Sequence, residues 1–185
     1  YVSGSGVEGM IAARDVNSKL DSLKHEEIND HEIKEEINRV FNHTEKQNIS
    51  ILPDELELRM QKVMDDYAGG ISSDYILNEQ KLSKARMYIK QLKEDSKYLY
   101  GENLHELMKC HEVIDRLDVA TVLIEHLSYR KETRWPIYQS RGDFPNRDDK
   151  NWLKFVNSVY DNKNGEVKII ERPLVKTLHA TSPTK

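Results

Sequence analysis

Apolar residues recur at helical spacing through most of this chain, and each stretch of that pattern ends at a recognisable stop. Leu56, Met60, Val63, Met64 and Tyr67 fall on one side of a helix that starts at Pro53, with Asp54 and Glu55 in its first turn and Gly69-Gly70 beyond its end. Leu82, Ala85, Ile89, Leu92 and Leu99 make a second stripe across Asn78 to Tyr100, stopped by Gly101. Leu104, Leu107, Met108, Ile114, Leu117, Leu123, Ile124 and Leu127 mark a third from Asn103 to Tyr129. Three such helices with short joins predict an antiparallel bundle over residues 53–129.

The flanks read differently. Tyr1 to Gly9 is small and glycine-rich and predicts a loop feeding a helix over Val7 to Leu23. Residues 1–24 are set apart from a connecting segment, 25–52. That segment holds a charged helix from Glu26 to Phe41, with Ile28, Ile33, Ile37, Val40 and Phe41 on a thin stripe, and then a polar, turn-rich run from His43 to Ser50. Beyond Tyr129 the helical period vanishes. Arg130 to Lys150 is an irregular segment stiffened by Pro136 and Pro145. Trp152 to Tyr160 alternates as a strand, Asp161 to Gly165 is turn chemistry, and Glu166 to Arg172 returns, so 130–185 ends in a β-hairpin and a loose polar tail from His179. The predicted class is mainly α: a three-helix bundle, an irregular segment and a terminal hairpin.

Composition narrows the function. An apolar fraction of 37% with 32% charged residues suits amphipathic helices around one core in 185 residues. No run approaches the roughly twenty apolar residues of a transmembrane helix, and no signal peptide is recognisable at the N-terminus. A net charge of −4 with mixed signs gives no basic stripe for nucleic acid. Cys110 is the single cysteine, which excludes a disulfide framework and a four-cysteine iron–sulfur site within the chain and fits a reducing cytoplasm. The chain opens on Tyr1 rather than methionine, as a fragment would.

Candidate chemistry is sparse. The helix-opening string Ser3-Gly4-Ser5-Gly6-Val7-Glu8-Gly9 could bring backbone amides close to a phosphate or a cofactor ring, although it lacks a dinucleotide fingerprint and a plain loop explains it equally. His105-Glu106 and His111-Glu112 each begin a zinc-protease motif, but Lys109 and Asp115 stand where its second histidine belongs, so no metal is assigned. The neighbours Asp65-Asp66 and Asp148-Asp149 read as caps and ion-pair partners. Arg130, Arg134 and Arg141 could bind an anionic substrate, but a structural role is the simpler expectation, with Arg141, Arg147 and Asp143 bonding one another within the irregular segment. No catalytic residue is assigned.

The series Glu132-Thr133-Arg134-Trp135-Pro136, Arg141-Gly142-Asp143-Phe144-Pro145, Asp148-Asp149 and Asn151-Trp152, placed after a three-helix bundle, resembles the tail of succinate dehydrogenase and fumarate reductase flavoproteins. Met64 to Gly70, Leu104 to Met108, Arg134-Trp135-Pro136 and the Phe155-to-Ser158 stretch are most similar to the adenylylsulfate reductase alpha subunit. Met10 and Gly6-Val7 depart from that family's arginine and His-Ala pair. The resemblance implies that residues 1–24 end an FAD-binding domain, with Ser3, Gly4 and Ser5 near the flavin. It also implies that the complete subunit, with an iron–sulfur beta subunit, reduces adenosine 5'-phosphosulfate to sulfite and AMP. The isolated chain, lacking the N-terminal phosphate loop and capping domain, is expected to be inactive and to brace the flavin domain and dock subunits. The alternatives are a fumarate reductase, succinate dehydrogenase or L-aspartate oxidase tail, or a free-standing helical interaction module.

Overall fold

The computed structural model describes residues 2–23, 29–136, 138–161 and 163–174. Two compact units divide between Arg39 and Val40. In the first, helix α1 runs Val2–Lys19 and ends in a 3-10 turn, Leu20–Ser22. The expected loop at Tyr1 to Gly9 is therefore corrected: from Val2 onward that string is helical. Each glycine disfavours a helix by about 1 kcal/mol, a penalty that the good helix formers downstream, Met10, Ala12, Ala13 and Arg14, can outweigh. Helix α2, Asp30–Phe41, carries Ile33, Ile37 and Phe41 four residues apart, all exposed. Ile28 and the tail from His179 lie outside the described residues.

The second unit is built on helices α3, Pro53–Tyr67, α4, Glu79–Asp95, and α5, Leu104–Tyr129. Their starts are set by local chemistry. Pro53 opens α3, Asn78 Oδ1 accepts from Lys81 N at 2.8 Å, and Asn103 Oδ1 accepts from His105 N and Glu106 N at 3.0 and 3.1 Å. Direction follows from the cross-links. Ile51, just before α3, bridges Leu99, just after α4, while Lys84 near the start of α4 lies over Tyr67 at the end of α3. Arg86 meets Glu125 and Lys93 meets Asp118, so α5 runs against α4. The core between them comprises Leu56 and Met60, Leu82, Ala85, Ile89 and Leu92, and Cys110, Val113, Leu117, Ala120 and Ile124. Leu104, Met108 and Leu123, placed on the stripe by spacing, are exposed, and Cys110 and Val113 take the core positions. Leu99 is buried beyond the helix end, after a 3-10 turn at Ser96–Tyr98.

The turn after α3 depends on glycine. Gly69 has φ +81°, and a Cβ at Gly70 would fall on the Asp65 backbone. The chain then passes through Asp74 and Tyr75, both at positive φ, into strand β1, Ile76–Leu77. This strand pairs in parallel with β2, Ser140–Arg141, inside the irregular segment. A single-turn helix α6, Asp149–Trp152, is capped by Asp148, which accepts from Asn151 N at 3.2 Å. Strands β3, Lys154–Asp161, and β4, Glu166–Pro173, form the terminal antiparallel hairpin, with Val159 opposite Lys168 and Gly165 at φ +69° in its turn. Trp152 belongs to α6 rather than to the strand. The inner face of the hairpin is tied to the bundle: Tyr160 Oη donates to Asp118 at 2.6 Å and accepts from Lys93 Nζ at 2.6 Å, and His126 meets Ser158 Oγ at 2.9 Å.

Candidate functional site

Two places hold the residues that the sequence singled out. The first is the start of α1. Its opening turn contains no acidic residue, whereas α2, α3, α4 and α5 all carry acidic residues there. The opening amides of any α-helix lack carbonyl partners within it, and the helix dipole favours an anion at that end. Ser3, Gly4 and Ser5 occupy that turn, and a side chain built at Gly4, Gly6 or Gly9 would meet nothing within 4 Å. Among the described residues nothing packs against these glycines. They leave bare backbone that another surface, or a cofactor, can approach closely.

The second place is the C-terminal end of α5, where the arginine-rich segment folds back. Arg141 is 4% exposed. Its guanidinium donates to both carboxylate oxygens of Asp143 at 2.8 Å and to the carbonyl of Leu127 at 2.5 Å, so it satisfies an orphan carbonyl of the last helical turn. Arg141 hydrogen bonding holds Asp143 down at about 2, against the opposing effect of burial. Asp143 also accepts from Glu79 N at 2.9 Å, which locks the segment to the start of α4.

Glu132 is the second anchor, its side chain fully buried. Burial by itself would raise its pKa, yet the net direction is down, because Arg134, the Asp148 N–H and Arg130 all donate to it. Arg134 Nε and Nη2 reach its two oxygens at 2.8 and 3.0 Å, and Arg130 Nη1 reaches it at 2.6 Å. Arg134 also pairs with Asp149 at 2.9 Å, and Arg147 pairs with Asp149 rather than with Asp143. Thr133, also buried, accepts from Arg141 N at 2.9 Å and donates to the Phe144 carbonyl at 2.8 Å. The cleft of about 240 Å³ bordered by Arg130, Arg134, Trp135 and Gln139 is thus lined by arginines already held by carboxylates. Sequence reasoning brought Arg130, Arg134 and Arg141 together correctly but missed Glu132 and Thr133 as their organising partners. The available signal was a carboxylate between two arginines at spacing two.

The remaining candidates are structural. Asp65 accepts from Ser72 N at 3.0 Å and Asp66 pairs with Lys62. His111 Nε2 contacts the Val40 carbonyl at 2.8 Å and packs edge-on to His43, and His105 is exposed. Burial pushes the Cys110 thiol up to about 11. Among the described residues no group of three or more His, Cys, Asp or Glu is placed to hold a metal ion, and no helix is long and apolar enough to cross a membrane.

The irregular segment beyond α5 holds its arginines in ion pairs with Glu132, Asp143 and Asp149. The profile of the family described as Fumarate reductase flavoprotein C-term matches residues 57–185, and the chain belongs to that flavoprotein family. It is 36% identical over 123 residues to adenylylsulfate reductase subunit alpha of Megalodesulfovibrio gigas, covering 66% of this chain and 18% of that protein. It is 30% identical over 155 residues to the succinate dehydrogenase flavoprotein subunit of Rickettsia conorii, covering 83% of this chain and 25% of that protein. Among solved structures, adenylylsulfate reductase from Archaeoglobus fulgidus superposes with a TM-score of 0.89 at 35% identity over 97% of this chain and 30% of its own. Quinol fumarate reductase from E. coli, at 18% identity and a TM-score of 0.66, shares the fold. The chain spans 18 to 25% of the curated relatives' length.

Proposed function

We propose that this chain is the C-terminal part of an adenylylsulfate reductase alpha subunit, and that the complete subunit binds FAD and reduces adenosine 5'-phosphosulfate to sulfite and AMP in the cytoplasm. The observation that carries this reading is the likeness to the Archaeoglobus fulgidus enzyme, at 35% identity over 97% of the chain, against 18% identity to the fumarate reductase. In the complete subunit FAD would supply the two-electron chemistry. The start of α1, through Ser3, Gly4 and Ser5, would sit against the cofactor, where the helix dipole and an acid-free first turn favour its negative charge. The bundle and hairpin would brace the flavin domain and present a face to an iron–sulfur beta subunit.

The test is to co-express the chain with its upstream sequence and record the visible spectrum and sulfite production from adenosine 5'-phosphosulfate. A flavin spectrum that disappears when residues 3–8 are deleted, together with sulfite formation, is the expected result. Folded protein that never retains flavin would overturn the assignment. The Rickettsia conorii likeness favours one rival, a succinate or fumarate enzyme, which the same preparation would reveal by succinate-dependent dye reduction.

A further inference from the structure

The turn that joins β3 to β4 sets a side-chain carboxamide beside an unshielded backbone nitrogen. Asn164 is the only asparagine of the chain followed by glycine. It is exposed in that turn, and Gly165 follows at φ +69°. Without a Cβ, Gly165 leaves its nitrogen open to the neighbouring side chain. The Asn164 side chain folds back across Gly165, because its Oδ1 accepts from Glu166 N at 2.9 Å, two residues on. When the Gly165 nitrogen adds to Asn164 Cγ, negative charge develops on Oδ1, the atom to which the Glu166 N–H already donates. One contact opposes this addition: Gly165 N–H donates to the Asp161 carbonyl at 2.8 Å and must leave it first. Such a bond contributes about 0.5–1.5 kcal/mol net, so in an exposed turn it slows the attack by roughly tenfold at most and does not prevent it.

The same turn lies on the contact that ties the hairpin to the bundle. A Cβ added at Gly165 would fall 3.5 Å from Lys93 Nζ and 3.8 Å from Tyr160 Oη. Those two atoms are bonded to each other at 2.6 Å, and Tyr160 donates onward to Asp118.

We propose that Asn164 is a modification site at which the chain cyclises spontaneously on itself, and that the isoaspartyl product loosens the hairpin from α4 and α5. The Gly165 nitrogen gives up its proton to solvent and bonds to Asn164 Cγ. The Cγ–Nδ2 bond breaks, and ammonia leaves with a proton returned from solvent, giving a cyclic succinimide. Water then opens one of the two carbonyl–nitrogen bonds of the ring, leaving aspartate or isoaspartate with no change of oxidation state. Isoaspartate routes the main chain through Cβ and Cγ and so lengthens it by one atom. Asp161 and Glu166 are paired across the turn, so the added length is taken up where Gly165 approaches Lys93 and Tyr160.

The experiment incubates the complete flavoprotein at mildly alkaline pH until a urea-denatured sample run in parallel has converted its Asn164. Conversion is followed by peptide mass spectrometry and by labelling with an isoaspartyl methyltransferase. In the folded protein Asn164 is expected to convert ahead of every other asparagine of the chain, with isoaspartate as the main product. Amide exchange in β3 and β4 of the converted fraction is expected to rise by about fivefold, the loss of one hydrogen bond of ordinary strength. Freshly purified Asn164→Asp keeps both the backbone length and an acceptor for Glu166 N, and is expected to exchange at the wild-type rate. Asn164 still intact in the folded protein at the end of the incubation overturns the site. Exchange unchanged after conversion, or raised equally by Asn164→Asp, overturns the loosening.

Discussion

Arg141 and Glu132 show how single side chains decide what the irregular segment is for. A guanidinium offers five donors in a rigid plane, and at Arg141 they are shared between Asp143 and helix-end carbonyls, leaving little for a ligand. The same arithmetic holds at Glu132, whose carboxylate receives Arg130, Arg134 and the Asp148 amide. The stability linked to Asp143 has a definite sign. Its folded pKa, about 2, lies below the ordinary aspartate value of 3.8, so its contribution is complete above about pH 4 and is lost as pH falls toward 2. Melting temperatures measured between pH 5 and pH 2 should fall more steeply in the wild-type chain than in Asp143→Asn, and parallel curves would show that the pairing contributes nothing.

Among the elements, the bundle helices were the most legible because each is specified locally, by a stripe, a cap and a stop. Asn78, Pro53 and Asn103 set starts that the sequence places within a residue or so. The hairpin was legible for the same reason, its Asn-Gly turn lying between two alternating runs. The β1–β2 pair was not, because it joins residues 64 apart in two-residue strands too short to leave a period. The start of α1 was misread because glycine content argues for a loop only as a propensity. The hairpin's hold on the bundle is also a long-range feature, made by Tyr160 with Lys93 and Asp118. Tyr160→Phe should destabilise the chain by about 1 kcal/mol and speed amide exchange in β3 and β4 more than in α4 and α5. Lys93 and Asp118 remain in direct contact at 2.6 Å in that variant, so the effect isolates the phenol. Uniform protection across hairpin and bundle would show that the phenol is not the latch.

Many apolar side chains are exposed among the described residues. Val7, Met10, Ile11, Val16 and Leu20 on α1 and its following turn, Ile33, Ile37 and Phe41 on α2, and Trp135 and Tyr138 beyond the bundle are all exposed. Monomeric proteins rarely leave large contiguous patches of this kind open, and the relatives carry roughly three to four times as much polypeptide. The isolated chain should therefore bind an apolar-surface dye such as ANS strongly, and the complete flavoprotein weakly. Equal, low dye binding by both would favour a self-sufficient module. What the sequence alone determined was everything specified within a few residues: three bundle helices, their caps, the hairpin turn, the lack of a cysteine framework, and a motif series particular enough to point to one flavoprotein family. Tertiary structure alone decided which carboxylate holds which arginine, and that Thr133 and Glu132 are buried. Spacing along a helix fixes which residues share a face, but burial and ion pairing depend on what the rest of the chain brings to that face.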